Sequence, residues 1–202
     1  ELSARLTDTF GLKNCEVVPS DSDTPSSIVG IAQAGAAEME RHLKSPHPKI
    51  IAIGTGRALR ACVEQLPPMD CPQHSIVSLL GNMMSDGSAT AYNVVIRVAE
   101  RANAKHYPMP LPVYARSVEE KHILHNQEPV HNILELARQA DVTFVGVGNM
   151  DMNAPLLVDG FLTRDEIRAF NRVGAVGEIT SWVYDADGNV IRGLVNDRVN
   201  SA

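Results

Sequence analysis

The stretch Lys49-Ile50-Ile51-Ala52-Ile53 constrains the fold more than any other in the chain. It is short and almost uninterruptedly apolar. Gly54-Thr55-Gly56 breaks it, and Arg57 to Gln65 then carries a helical pattern stopped by Pro67-Pro68. A strand that is apolar on both sides must be covered on both sides, which is the situation of a strand inside a parallel sheet. The alternation recurs: Ile76 to Leu80 reads as a strand ending at Gly81-Asn82, followed by a helix at about Ala89 to Ala104. Leu111 to Ala115 reads as a third strand, and Asp141 to Val145 as a fourth that ends at Gly146-Val147-Gly148-Asn149.

Helices are predicted over Leu2–Phe10, over Ile28–Leu43 with Ser26 or Ser27 as N-cap, and over Val130–Ala140. The small residues of Ile28–Leu43 predict close approach of a neighbouring element. Ser117 with Glu120 and Thr163 with Glu166 have capping-box spacing, the second opening a helix over Arg164–Phe170. Gly177 to Tyr184 reads as extended, Asp185-Ala186-Asp187-Gly188 as a hairpin-type turn, and Pro19 to Pro25 as the longest loop. These elements predict one α/β domain over residues 1–202, with a Rossmann-like, mostly parallel sheet and helices on both faces.

Composition narrows the functions open to such a chain. Only 4% of its 202 residues are aromatic, so the core must rest on Val, Ile, Leu, Ala and Met. The formal net charge of −6 is interspersed, which makes the chain alone a poor binder of nucleic acid and requires any bound anion to be held by local geometry. No run approaches the roughly eighteen apolar residues of a membrane span. The charged, amphipathic ELSARLTDTF start is unlike a signal peptide. Cys15, Cys62 and Cys71 show no CxxC spacing, so free thiols in a reducing cytoplasm are expected. Cys71-Pro72-Gln73-His74 reads as a loop thiol beside a loop imidazole, and His122, His125 and His131, interrupted by Pro129, as a solvated helix face. No metal or cofactor is predicted.

The sharpest candidate for chemistry is the loop Gly54-Thr55-Gly56-Arg57 at a strand's end and a helix's start. Unpaired N–H groups at a helix N-terminus favour an anion, glycines let backbone close around it, and Thr55 and Arg57 can add a donor and a charge. The motif lacks the third glycine of GxGxxG and the GKS/T of a P-loop, so it also reads as a tight turn without a ligand. Recurrence favours a site: Gly81-Asn82 and Gly148-Asn149 also follow strands, and ligands of open α/β sheets sit at the carboxyl ends of strands. Asn82, Asn93 and Asn149 suit a polyhydroxylated ligand, although Asn is common in turns for conformational reasons. Ser85-Asp86-Gly87 is a candidate flap. Glu178 is a carboxylate for sugar hydroxyls or for capping a helix. No paired acid and base, GxSxG or HExxH appears, so no catalytic residue is assigned.

The blocks IGTGRAL (Ile53–Leu59), SLLGN (Ser78–Asn82), VGVGNMDMNAPLLVDGFLT (Val145–Thr163) and GAVGEITSWVYDADGN (Gly174–Asn189) resemble the sugar-binding domain of SorC-type bacterial transcription regulators. That group includes the sorbitol and deoxyribonucleoside operon regulators. The opening helix through Phe10-Gly11-Leu12 and Glu16-Val17-Val18-Pro19 adds to the likeness. The resemblance implies a sugar-phosphate isomerase-like fold acting as a receptor for a phosphorylated sugar. It implies phosphate at Gly54–Arg57 and sugar at Gly81, Asn82, Gly148, Asn149 and Glu178. It further implies homo-oligomers that grip operator DNA through an N-terminal helix-turn-helix, which this sequence lacks. Two departures are a family pattern continuing past Ala202, through a phosphate-contacting lysine, and Glu178 where aspartate is usual. An isomerase or deaminase of the same fold is the alternative; it needs a placed acid and base.

Overall fold

The computed structural model describes residues 1–19 and 28–202. All of the predicted Pro19–Pro25 loop beyond Pro19, and the Ser26 or Ser27 N-cap, lie outside the described residues. In chain order the first elements are α1 (Leu2–Phe10), α2 (Ile28–Leu43), β1 (Ile50–Ile53), α3 (Arg57–Gln65), β2 (Ser75–Met83), α4 (Val94–Ala102) and β3 (Lys105–Pro112). They are followed by α5 (Val118–His125), α6 (Glu128–Arg138) and β4 (Val142–Phe144). β1 to β4 form a four-stranded sheet in the order β3-β2-β1-β4, every neighbouring pair parallel.

Both faces of this sheet are covered, as the apolar run of β1 demands. Ile51, Ile53 and Ile76 point into a core shared with α2, α3 and α4, which includes Met39, Leu43, Leu59, Val63, Val95 and Val98. Their alternate neighbours Ala52, Val77 and Leu79 pack on the other face against Ala137 of α6. His74, predicted as a loop imidazole, is buried and ties the end of α2 to the start of β1. Its Nδ1 accepts from Lys49 N–H at 3.1 Å, and its Nε2 lies 2.9 Å from Leu43 O.

A second, three-stranded antiparallel sheet has the order β5-β6-β7, with β5 (Gly148–Asn149), β6 (Ala175–Ile179) and β7 (Trp182–Asp185). α7 (Pro155–Val158) and α8 (Arg164–Arg172) pack with it around Ile167, Phe170 and Val183. The Thr163/Glu166 capping box at the start of α8 is complete. At α5, Ser117 accepts from Glu120 N–H, but the Glu120 carboxylate turns to Arg116, so only half of that box forms. The turn predicted at Asp185–Gly188 is present, with Gly188 N–H on Asp185 O and a bridge from Tyr184 to Val190.

Three expectations are corrected. The helix expected from Ala89 begins at Val94, because Ala89 bridges to Met83 and Thr90 N–H donates to Asn82 O, spending that backbone on the end of β2. The third strand runs earlier, over Lys105–Pro112; Pro108, Pro110 and Pro112 recur with period two, so one side of the strand loses its donors. That is tolerable because β3 is an edge strand, with β2 as its one neighbouring strand among the described residues. Finally, Gly81-Asn82 lies within β2 rather than in a loop after it, and Gly148-Asn149 is itself the strand β5. Beyond β3, the segment Val199–Ser201 runs antiparallel to both Tyr114 and Leu80. Gly81 N–H donates to Asn200 O there, and Asn200 N–H to Val113 O, each at 2.9 Å.

Candidate functional site

The order β3-β2-β1-β4 reverses direction at β1. The chain leaves β1 toward β2 and β3 on one side and returns as β4 on the other, so the loops following β1 and β4 diverge and open a crevice. A cavity of about 230 Å³ occupies that place. One wall is Thr55-Gly56-Arg57 after β1, a second is Gly146-Val147-Gly148 after β4, and Glu178, Thr180 and Ser181 of the antiparallel sheet supply a third.

Of the residues expected at a ligand, Thr55, Gly56, Arg57, Gly148 and Glu178 therefore converge. The others stand elsewhere. Gly54 holds the loop down by donating its N–H to Phe144 O at 2.9 Å, and it lines a separate recess of about 10 Å³ with Gly81, Asn82 and Asn93. That recess holds a water at most. A Cβ on Gly81 would come within 2.5 Å of Pro112 O, so its glycine serves the close approach of β3. Asn149 is exposed, and its amide donates to Asp151 Oδ2 at 3.2 Å. The Ser85-Asp86-Gly87 loop borders a different cavity, of about 190 Å³, lined by Ser85. His125 lies 2.9 Å from Asn200 Oδ1. Among the described residues no group of three or more His, Cys, Asp or Glu is placed to hold a metal.

Gly56 is the N-cap of α3 with φ 119° and ψ 174°, a conformation that L side chains rarely adopt, and among the described residues no side chain caps the helix. Its first-turn N–H groups are thus left for solvent or a ligand. Beside them, Arg57 Nη2 donates to Asp159 Oδ1 at 2.6 Å and Arg57 Nε to Tyr92 OH at 3.0 Å, while that hydroxyl donates to Asp159 Oδ2 at 2.7 Å. Asp159, and to a smaller degree Tyr92, hold the guanidinium above its ordinary pKa. Burial, then the hydrogen bond to Asp159, push the Tyr92 phenol up.

Opposite, Glu178 pairs in register with Gly148 across β5 and β6. A Cβ on Gly148 would collide with Glu178 Oε1, so the glycine is what lets the carboxylate fold over β5. Glu178 Oε2 accepts from Ser181 N–H at 2.9 Å. That bond depends on the β6–β7 turn, whose Thr180 and Ser181 both have positive φ, at 49° and 67°. Tyr92, Asp159, Phe161, Thr180 and Ser181 were not foreseen as lining residues; Asp159 and Phe161 lie inside the block VDGFLT, and Thr180 and Ser181 inside GEITSW.

Burial pushes the Glu178 carboxyl above its ordinary pKa, against the lowering effect of the Ser181 hydrogen bond. The folded state therefore keeps this proton to higher pH than the unfolded chain does. The resulting destabilisation is absent in acid and grows as pH rises through the carboxylate range. Glu178→Gln is expected to melt above the parent protein at pH 7, with the gap closing below about pH 4. Calorimetry at both pH values checks this, and a variant that melts lower at pH 7 contradicts it.

Over residues 1–202 the chain matches the family described as "Putative sugar-binding domain". It is similar to the erythritol catabolism regulatory protein EryD of Brucella abortus (strain 2308), at 30% identity over all of this chain and 64% of the relative. It is also similar to the transcriptional regulator LsrR of Klebsiella pneumoniae, at 29% identity over 96% of this chain and 58% of that protein. The chain thus spans less than two thirds of the length of these relatives. Among solved structures, a DeoR family transcriptional regulator from Listeria monocytogenes superposes with a TM-score of 0.86 at 20% identity, over 99% of this chain and 78% of that one. The full-length sorbitol operon regulator SorC from Klebsiella pneumoniae gives 0.83 at 22%, over 99% of this chain and 64% of that one; at such identities these likenesses speak for the fold. With a family match along its entire length, the chain belongs to the sugar-binding domain family whose relatives are named as transcriptional regulators.

Proposed function

We propose that this chain is the effector-sensing part of a sugar-responsive transcription regulator, and that it binds a phosphorylated sugar in the cavity between Arg57 and Glu178 without chemical change. The observation that carries the reading is the polarity of that cavity. An uncapped helix N-terminus with Arg57 stands on one side, suited to a phosphate, and an acceptor carboxylate on the other, suited to hydroxyl groups. Gly54, Gly81, Asn82 and Asn149 support the walls in this reading rather than touching the sugar. The relatives are named as transcriptional regulators, which supports a receptor over an isomerase or deaminase of the same fold, and the recovery of unchanged sugar phosphates tests that choice.

Operator DNA is then met through a part of the regulator other than this acidic chain, in homo-oligomers in the cytoplasm. Among the described residues no helix is long and apolar enough to cross a membrane. The Brucella relative is named for erythritol catabolism, so four-carbon polyols and their phosphates are the first compounds to test.

In a thermal-shift and calorimetric screen, sugar phosphates should stabilise the protein and be recovered unchanged. A ligand at a hundred times its Kd contributes about 2.7 kcal/mol. Thr55→Ala, which removes one donor to a charged group, should weaken binding by about 1.5–3 kcal/mol, and Gly56→Val should abolish it by blocking the backbone. Free sugars that stabilise as well as their phosphates, or unchanged affinity in both folded variants, would leave an empty turn in place of a phosphate site.

A further inference from the structure

Arg57 does not offer its charge freely to the cavity. Asp159 Oδ1 is taken by the guanidinium and Oδ2 by Tyr92, which closes a ring of three side chains, all of which line the cavity. Among the described residues of that lining Arg57 is the one cation, beside two carboxyl groups, Asp159 and Glu178. A phosphate entering here finds Arg57 already paired, and its oxygens compete with the Asp159 carboxylate for the same guanidinium fork.

Asp159 is also well placed to pass on its own displacement. It follows α7 and is succeeded by Gly160, at φ 76°, and Phe161. Phe161 lines both the 230 Å³ cavity and the neighbouring one of about 190 Å³. Together with Trp182 it packs against the cluster of Leu80, Val113 and Val199.

Resting on the phosphate reading above, we propose that Asp159 is a resident counter-anion, displaced from Arg57 by the ligand's phosphate, and that its release shifts Phe161 in the wall between the two cavities. Binding then exchanges one anion for another at Arg57 rather than creating a new ion pair. A neutral sugar carries nothing that can displace a carboxylate, so it occupies the cavity without moving Phe161. Asp159 thereby selects for phosphorylated ligands in the response as well as in the affinity.

Inorganic phosphate is the probe, with chloride at matched ionic strength as control and free erythritol as the neutral comparison. The emission of Trp182, the single tryptophan of the chain, and thermal melting are the readouts. Asp159→Asn keeps the side chain's shape and removes its charge, and it should bind phosphate about tenfold tighter or more than the parent. Its ligand-free emission should lie toward that of the phosphate-saturated parent. Tyr92→Phe, which frees Asp159 Oδ2, should shift both readouts the same way by less, and it stands as the test should Asp159→Asn fail to fold. Erythritol should leave the emission unmoved. Equal or weaker phosphate binding in the variants, or an emission that phosphate does not move, overturns the proposal and leaves the phosphate site standing. No phosphate response in the parent or in either variant overturns the phosphate site and the proposal together.

Discussion

A Phe170→Ala protein is expected to be less stable than the parent by about 3–5 kcal/mol. Phe170 is fully buried at the centre of the cluster formed by Met150, Leu156, Leu162, Ile167, Val183 and Val195, the core on which the antiparallel sheet rests. α8 presents Phe170 and Ile167 on one face, and the complete capping box at Thr163 and Glu166 anchors its start. Removing the ring leaves a cavity that the surrounding helices and hairpin can close only in part, so the cost exceeds the transfer energy of the lost carbons. Because Gly148 and Glu178 belong to this sheet, the loss also loosens one wall of the 230 Å³ cavity. Urea denaturation should show a lower midpoint at an unchanged slope, together with a smaller ligand-induced gain in melting temperature. A cost below about 1 kcal/mol would mean that this cluster is not the core of the second sheet.

The parallel sheet was legible because its signal is local. An apolar run broken by glycine, with a helical period in the following residues, locates α3 at Arg57–Gln65, and helical spacing locates α2 up to its end at Leu43. The small side chains of α2 do mark a close contact: a Cβ on Gly35 would stand 2.5 Å from Cys62 Sγ of α3. The site was legible only in part, and strand order explains the division. A glycine and a small polar residue follow β1 and β4 and end β2, and in sequence the three look alike. Only β1 and β4 flank the reversal of the sheet, so Thr55–Arg57 and Gly148 reach the cavity, while Gly81 and Asn82 face a recess too small for a sugar. The ring of Arg57, Tyr92 and Asp159 joins residues 35, 67 and 102 positions apart and leaves no periodic trace. The start of α4 was misplaced for the converse reason: Ala89–Asn93 has the local pattern of a helix, but its backbone is claimed by the end of β2.

The other large effect is expected at Asn196, which turn propensity alone would pass over. Its side chain is fully buried and completes the backbone bonding of β7. Oδ1 accepts from Val183 N–H at 3.0 Å, and Nδ2 donates to Val183 O at 2.9 Å and to Ile191 O at 2.7 Å. Val183 O also receives Ile191 N–H, so Asn196→Ala strands two groups, the Val183 donor and the Ile191 acceptor. Each buried, unsatisfied group costs about 1–3 kcal/mol, and space for an entering water keeps the sum near the lower end, about 2–4 kcal/mol. Asn196→Asp keeps the acceptor but turns a carboxylate toward two carbonyl oxygens, and it should cost more than alanine does. Val183 sits in register with Glu178 across the β6–β7 hairpin, so the damage reaches the 230 Å³ cavity through the strand that carries the Glu178 carboxylate. Hydrogen exchange reads this directly. The Val183 amide should be protected in the parent protein and exchange rapidly in Asn196→Ala. An alanine variant within about 0.5 kcal/mol of the parent, with that amide still slow, would show that the hairpin holds its geometry without the Asn196 clasp.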